Sequence, residues 1–197
     1  MNYPIYFDSK KSSHLFELND RFDFLKDLYI KNKLPNVLML SGQKGLGKST
    51  LINHLLFYIF DKNNYDLKNY NFDNKSSFYN QFLNNIFSNI IYLSGSDFKN
   101  IKIEDIRNLK SKILKTTILN KPRFIIFDDV ELFNNNSLNA LLKILEEPSI
   151  NNHFVLINNL SNPLIDTIKS RCLEIKIILI EKKKQNIINF LIENFKI

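Results

Sequence analysis

At 197 residues and 44% hydrophobic content the chain suits one α/β core, alone or with a small appendage. A formal charge of +7 does not by itself name a DNA partner, because 23 of the 27 basic residues are lysines spread along the whole sequence instead of gathered on one face. The single cysteine, Cys172, excludes an intrachain disulfide and a multi-cysteine zinc site, and it is expected as a buried apolar thiol. Neither an apolar leader in residues 1–11 nor a run of membrane-spanning length is found, so a cytoplasmic place with no membrane partner is expected.

In chain order, Leu15, Phe16, Leu18, Phe22, Phe24, Leu25 and Leu28 recur at roughly helical spacing and predict a helix closed by Pro35. Residues 36–41 (NVLMLS) read as a short buried strand, and residues 48–60 as a helix with apolar Leu51, Leu55 and Leu56. Between them stands Gly42-Gln43-Lys44-Gly45-Leu46-Gly47-Lys48-Ser49-Thr50, the phosphate-loop pattern G-x-x-x-x-G-K-[ST] in its required strand–loop–helix context. Three of the chain's four glycines lie here. Bare backbone N–H groups must reach phosphate oxygens, Lys48 the β/γ-phosphates and Ser49 a Mg²⁺ ion. The pattern leaves hydrolysis and mere retention of nucleotide both open.

His14, His54 and His153 are too scattered to suggest a metal or catalytic cluster. Of the four arginines, Arg21, Arg107, Arg123 and Arg171, each offers a planar fork suited to phosphate. Residues 61–89, dense in Asn, Tyr and Phe, read as an irregular insertion or a weak helix, with no function assigned. Residues 90–93 predict a second strand, and residues 103–117, apolar at 103, 106, 109, 113 and 114, an amphipathic helix.

Residues 124–129 (FIIFDD) form an apolar run ending in paired carboxylates. Ligands of a parallel sheet sit outside the carboxyl ends of its strands, so Asp128 is expected near the phosphate loop, where it can hold Mg²⁺, and Asp129 is placed to orient an attacking water. Residues 134–147 predict a helix stopped by Pro148, and residues 153–157 a strand followed by Asn158 and Asn159, amides that can touch the γ-phosphate or the water. Ser170-Arg171-Cys172 precedes a final strand over 173–180 and a lysine-rich helix over 181–195, in which Lys182 to Lys184 read as a solvated face.

Two further segments carry a family resemblance. Residues 139–148 (NALLKILEEP) and 167–172 (TIKSRC) are similar to signature segments of the AAA+ clamp-loader ATPases of bacterial DNA polymerase III, most closely the delta-prime type alongside gamma/tau. The Ile103 to Arg107 stretch and Lys33-Leu34-Pro35 are similar to the family's sequence at those places. The resemblance implies a three-layer α/β P-loop NTPase core, a parallel sheet flanked by helices, over residues 1–180, with 61–89 a variable insertion. It further implies ATP and Mg²⁺ as ligands, Gly42 to Thr50 as Walker A, Asp128-Asp129 as Walker B, and Asn158 or Asn159 at sensor 1. Arg171 is implied to act in trans on a neighbour's γ-phosphate, as an arginine finger. Its implied partners are the gamma/tau and delta subunits and the sliding clamp, with DNA met through that assembly and direct contact left open.

Three departures shape the expectation. Asp129 replaces the usual Glu, withdrawing the carboxylate by about 1 Å, a displacement that can cost on the order of 10²-fold in rate. No zinc module is expected with one cysteine, and residues 181–197 correspond only to the first helix of a truncated lid, with no collar domain following. Three readings stand: a motor subunit of the clamp loader that binds and hydrolyses ATP during clamp loading in DNA replication, a non-hydrolysing stator that lends Arg171 to a neighbour, or a different P-loop NTPase.

Overall fold

The computed structural model describes residues 8–96, 104, 106, 108, 109, 113, 121–148 and 151–195, with residues 194 and 195 described by backbone alone. It divides into two units, Pro35–Lys44 with Gln81–Lys176, and Met1–Leu34 with Gly45–Asn80 and Ile177–Ile197.

The first unit is built on a sheet of five parallel strands: β1 (Val37–Ser41), β4 (Ile90–Ser94), β5 (Arg123–Asp128), β6 (Asn152–Asn158) and β7 (Leu173–Lys176), in the order β4-β5-β6-β1-β7. Continuous apolar runs such as Phe124 to Phe127 suit central strands buried on both faces. Val37, Met39, Ile125, Phe127, Phe154 and Leu156 point to one face, against Ile106, Leu109 and Ile113, Leu138, Leu141 and Leu145, and Leu164 and Ile168. The alternate residues Leu38, Leu40, Phe124, Ile126, Val155 and Ile157 are at most 1% exposed on the other face.

Helix α4 (Asn135–Glu146) presents Leu138, Leu141 and Leu145 at helical spacing, is capped by Asn134 Oδ1 accepting from the Ser137 N–H at 2.9 Å, and stops before Pro148; the short helix α5 (Asp166–Lys169) carries the buried Ile168. The expected helix over 103–117 is helical at each of its five described residues, and its bounds lie outside the described residues. The final strand is shorter than the run over 173–180 suggests. Its ladder partner β1 ends at Ser41, opposite Lys176, so Ile177 to Ile180 have no strand to pair with.

The second unit contains α1 (Asn19–Ile30), α2 (Lys48–Phe60), the hairpin β2 (Tyr65–Asp66) with β3 (Asn71–Phe72), and α6 (Glu181–Phe195). α1 ends well before Pro35, because Asn32 takes a left-handed conformation (φ 53°), the Lys31 N–H donates to the Asp27 carbonyl and the Asn32 N–H to the Tyr29 carbonyl, both at 3.0 Å. The 61–89 region combines the hairpin with α3 (Ser77–Leu83). Its aromatic residues have a packing role: Phe72 stacks on Phe57 of α2 at 3.8 Å, Phe78 meets Phe57 edge-on at 4.8 Å, and Tyr65 stacks on Phe22 of α1 at 5.2 Å. In α6, Lys183 departs from the solvated-face reading and donates to the Glu17 carbonyl at 3.0 Å and to Asp20 at 3.2 Å. No helix among the described residues is long and apolar enough to cross a membrane.

Candidate nucleotide site

The phosphate loop begins where β1 ends. The Gly42 N–H donates to the Asn158 carbonyl at 3.2 Å, which ties the loop's start to the end of β6. Gln43 and Lys44 are exposed, and the Lys44 ammonium lies 3.8 Å from Asp129 Oδ1. With Lys44 72% exposed, that ion pair is weak.

Gly45 (φ 86°) and Gly47 (φ 77°) occupy left-handed conformations that side chains disfavour. Gly47 opens α2, accepting the Leu51 N–H at 2.8 Å, and a Cβ there would stand 3.1 Å from Leu18 Cδ1. Lys48 in the first turn of α2 is 2% exposed, while Leu46, Ser49 and Thr50 are half-buried. A helix N-terminus reached through a glycine-rich loop presents backbone N–H groups and the positive end of the helix dipole, which favour an anion. The loop's donor set therefore fits a phosphate.

At the carboxyl ends of β5 and β6 the polar groups converge. Asp128 is half-buried, accepting on Oδ1 from the Asp129 N–H at 2.9 Å and on Oδ2 from the Tyr92 hydroxyl of β4. Asp129 is 5% exposed, turns the chain with φ 50°, and accepts on Oδ1 from Asn159 Nδ2 at 2.6 Å. Its turn is made possible by Gly95, since a Cβ there would fall 2.5 Å from the Asp129 carbonyl oxygen. Asn158 instead folds its amide inward, accepting the Leu160 N–H at 3.0 Å. Of the two asparagines, only Asn159 reaches the acidic pair by its side chain among the contacts described.

Arg171 lies elsewhere. Its guanidinium donates to Glu146 Oε1 and to the Thr167 carbonyl, both at 2.7 Å, beside an open cavity of about 700 Å³ lined by Pro35, Asn36, Leu145, Pro148 and Leu173. That cavity faces the amino end of β1, the opposite end of the sheet from Asp128 and Asn159. Arg123 is a structural residue, 6% exposed and donating to the Ile113 carbonyl at 3.1 Å, while Arg107 lies outside the described side chains. Cys172 is half-buried, donates to the Ile168 carbonyl, and is pushed up to about 11 by burial. Among the described residues no group of three or more His, Cys, Asp or Glu side chains is placed to hold a metal.

Sequence reading missed two members of the cluster. Tyr92 is concealed in the apolar run Ile90 to Leu93, and only its place two residues before the end of the strand beside β5 marks it. Glu131, 5% exposed, is an acid inside the otherwise apolar Val130 to Phe133 stretch, and that mismatch was its signal.

The strand order, the phosphate loop between β1 and α2, and the acids ending β5 define a P-loop NTPase fold of the AAA+ kind. The chain belongs to the family described as DNA polymerase III, delta subunit, whose profile matches residues 18–181. It is 27% identical over 150 residues to the DNA polymerase III subunit delta' of Buchnera aphidicola subsp. Baizongia pistaciae, covering 72% of this chain and 44% of that protein. The DNA polymerase III subunit gamma of Buchnera aphidicola subsp. Schizaphis graminum is 34% identical over 90 residues, covering 46% of this chain and 24% of that protein. Among solved structures, a DNA polymerase III gamma subunit-related protein of Thermotoga maritima shares the fold, with a TM-score of 0.62 at 22% identity, covering 90% of this chain and 53% of the other. The chain thus spans about half, or less, of the length of the relatives it matches.

Proposed function

We propose that this chain is a delta-prime-like clamp-loader subunit that takes part in ATP-dependent loading of the sliding clamp onto primed DNA, alongside gamma/tau and delta subunits. The observation that carries the reading is the phosphate loop with Lys48 buried in the first turn of α2, in a chain whose family is that of DNA polymerase III subunits. Residues 1–180 are read as the nucleotide-binding core and Glu181–Phe195 as the opening helix of the lid.

In this reading the loop amides and Lys48 bind the β- and γ-phosphates of ATP, and Ser49 and Asp128 hold Mg²⁺. The ion supplies charge neutralisation at the phosphate oxygens. Asp129 orients the attacking water, with its carboxylate fixed by Asn159, while Asn158 shapes the loop that carries Asn159. The shorter Asp129 makes turnover slow compared with a glutamate at the same place.

A second reading has its own support. Arg171 sits at the far end of the sheet from the acidic pair, 33% exposed, where it suits a stator that acts on a neighbour's nucleotide. Reconstitution with the same organism's gamma/tau and delta subunits separates the two. In the motor reading Lys48→Ala abolishes this chain's share of DNA-stimulated ATP hydrolysis; in the stator reading Lys48→Ala leaves the assembly's hydrolysis nearly intact and Arg171→Ala depresses it. If neither substitution changes hydrolysis or clamp loading, the chain has no role in the motor and the proposal fails.

A further inference from the structure

Glu131 belongs to the short turn Val130–Leu132 that follows the acidic pair, and it is 5% exposed. Burying a carboxylate is costly unless hydrogen bonds hold it. Glu131 spends one oxygen on a single purpose: Oε1 accepts from the Ser161 hydroxyl at 2.7 Å, from the Asn159 N–H at 3.1 Å and, at 3.5 Å, from the Ser161 N–H. Its other oxygen, Oε2, is buried with no hydrogen-bond partner among the described residues. All three donors lie in the loop that leaves β6.

That loop needs holding. Leu160 sits at its centre with φ 58°, a left-handed conformation that a leucine adopts at an energetic cost and keeps only when its surroundings fix it. Glu131 grips the residues on either side of it. The same loop aims the Asn159 side chain at Asp129 Oδ1, 2.6 Å away. A chain of contacts therefore runs from Glu131 through the Asn159 backbone to the Asn159 amide and the Asp129 carboxylate.

From this we infer that Glu131 is a positioning residue: by anchoring residues 159–161 it sets the Asn159 amide, and through it the orientation of the Asp129 carboxylate. Its catalytic consequence rests on the function proposed above; its geometric consequence does not. Removal of the anchor lets the loop relax and loosens the Asn159–Asp129 bond, while the phosphate loop and its affinity for nucleotide are left as they are. A loss of alignment on the ångström scale lowers turnover by roughly 10- to 100-fold.

The test compares wild type, Glu131→Ala, Glu131→Gln and Ser161→Ala by amide NMR and by steady-state kinetics with Mg·ATP. The Asn159 side-chain NH₂ resonance, assigned by its disappearance in Asn159→Asp, is expected to move in Glu131→Ala as it does in Asp129→Ala. It is expected to move partway in Ser161→Ala and to stay near the wild-type position in Glu131→Gln, which keeps an acceptor oxygen. The kinetic expectation is a lowered kcat at unchanged KM in Glu131→Ala, restored in Glu131→Gln. An Asn159 resonance unmoved in both Glu131→Ala and Ser161→Ala overturns the inference, as does a fall in thermal stability alone. If Glu131→Ala does not fold, Ser161→Ala decides by the same resonance. A wild-type chain that binds no nucleotide overturns the function proposed above, and the resonance still decides the role of Glu131.

Discussion

The Asn159 amide donates to Asp129 Oδ1 at 2.6 Å, joining the residue after β6 to the second acid of the pair that ends β5. An acid expected to orient water is thus itself oriented by a neutral donor. Charge-assisted bonds of this kind are about twice as strong as neutral ones. Asn159→Ala removes the donor, and we expect turnover to fall by roughly 10- to 100-fold with nucleotide affinity changed less than about threefold. Equal losses in both, measured by steady-state kinetics and fluorescent-nucleotide titration, contradict that role.

Tyr92 makes the corresponding contact to Asp128, its hydroxyl donating to Oδ2. Tyr92→Phe keeps the ring and removes the donor. The Mg²⁺ concentration for half-maximal nucleotide binding is expected to rise on the order of tenfold, as losses of groups that orient metal ligands do. Stability should fall by about 1–2 kcal/mol. An unchanged Mg²⁺ dependence means that Tyr92 serves packing alone.

Gly95 is the one glycine outside the phosphate loop, and the Asp129 carbonyl oxygen would lie 2.5 Å from a Cβ there, with Leu132 Cβ at 3.1 Å and Phe133 at 3.3 Å. Because the first of these is backbone, relief requires the acidic turn to move. Gly95→Ala is expected to cost about 1–3 kcal/mol in urea unfolding and to lower turnover as well. Wild-type stability in this variant would show that the turn yields freely.

Acid should destabilise the fold through its histidines. His54 is fully buried, its Nδ1 2.9 Å from the Tyr65 hydroxyl, and burial drives it from 6.5 down to about 3. His14 and His153 are lowered as well, both by burial. Between pH 6.5 and 3 the unfolded chain binds protons at His54 that the folded chain refuses. Stability present above pH 6.5 is therefore lost as pH falls, by up to about 1.4 kcal/mol per pH unit from His54. Urea midpoints at pH 7.5, 6.0 and 5.0 should fall in that order, and less steeply in His54→Phe. A slope unaffected by that substitution removes His54 from the account.

What the sequence makes legible follows from how local the cause is. The bounds of α2 match their expectation because the glycines fix where the helix can begin and its apolar run fixes where it stays buried. Asn134 and Pro148 bracket α4 for equally local reasons. The final strand is misjudged because the apolar residues continue past Lys176 through Ile177 to Ile180, whereas its length is set by β1, far away in sequence. The hairpin at Tyr65 and Phe72 escapes notice because strands of two residues carry no period; it is held by aromatic contacts to α1 and α2. In the candidate site the residues of the phosphate loop and the acidic pair are readable as motifs. Tyr92, Glu131 and the choice between Asn158 and Asn159 depend on which strands lie side by side.

The central claim is that the loop from Gly42 to Thr50 binds nucleotide through Lys48. A Mg·ATP titration of the isolated chain by calorimetry, with wild type and Lys48→Ala in parallel, tests it most directly. The account predicts saturable binding at one site in the wild type, weakened at least tenfold in Lys48→Ala and dependent on Mg²⁺. Equal binding by the two proteins, or none by either, contradicts it.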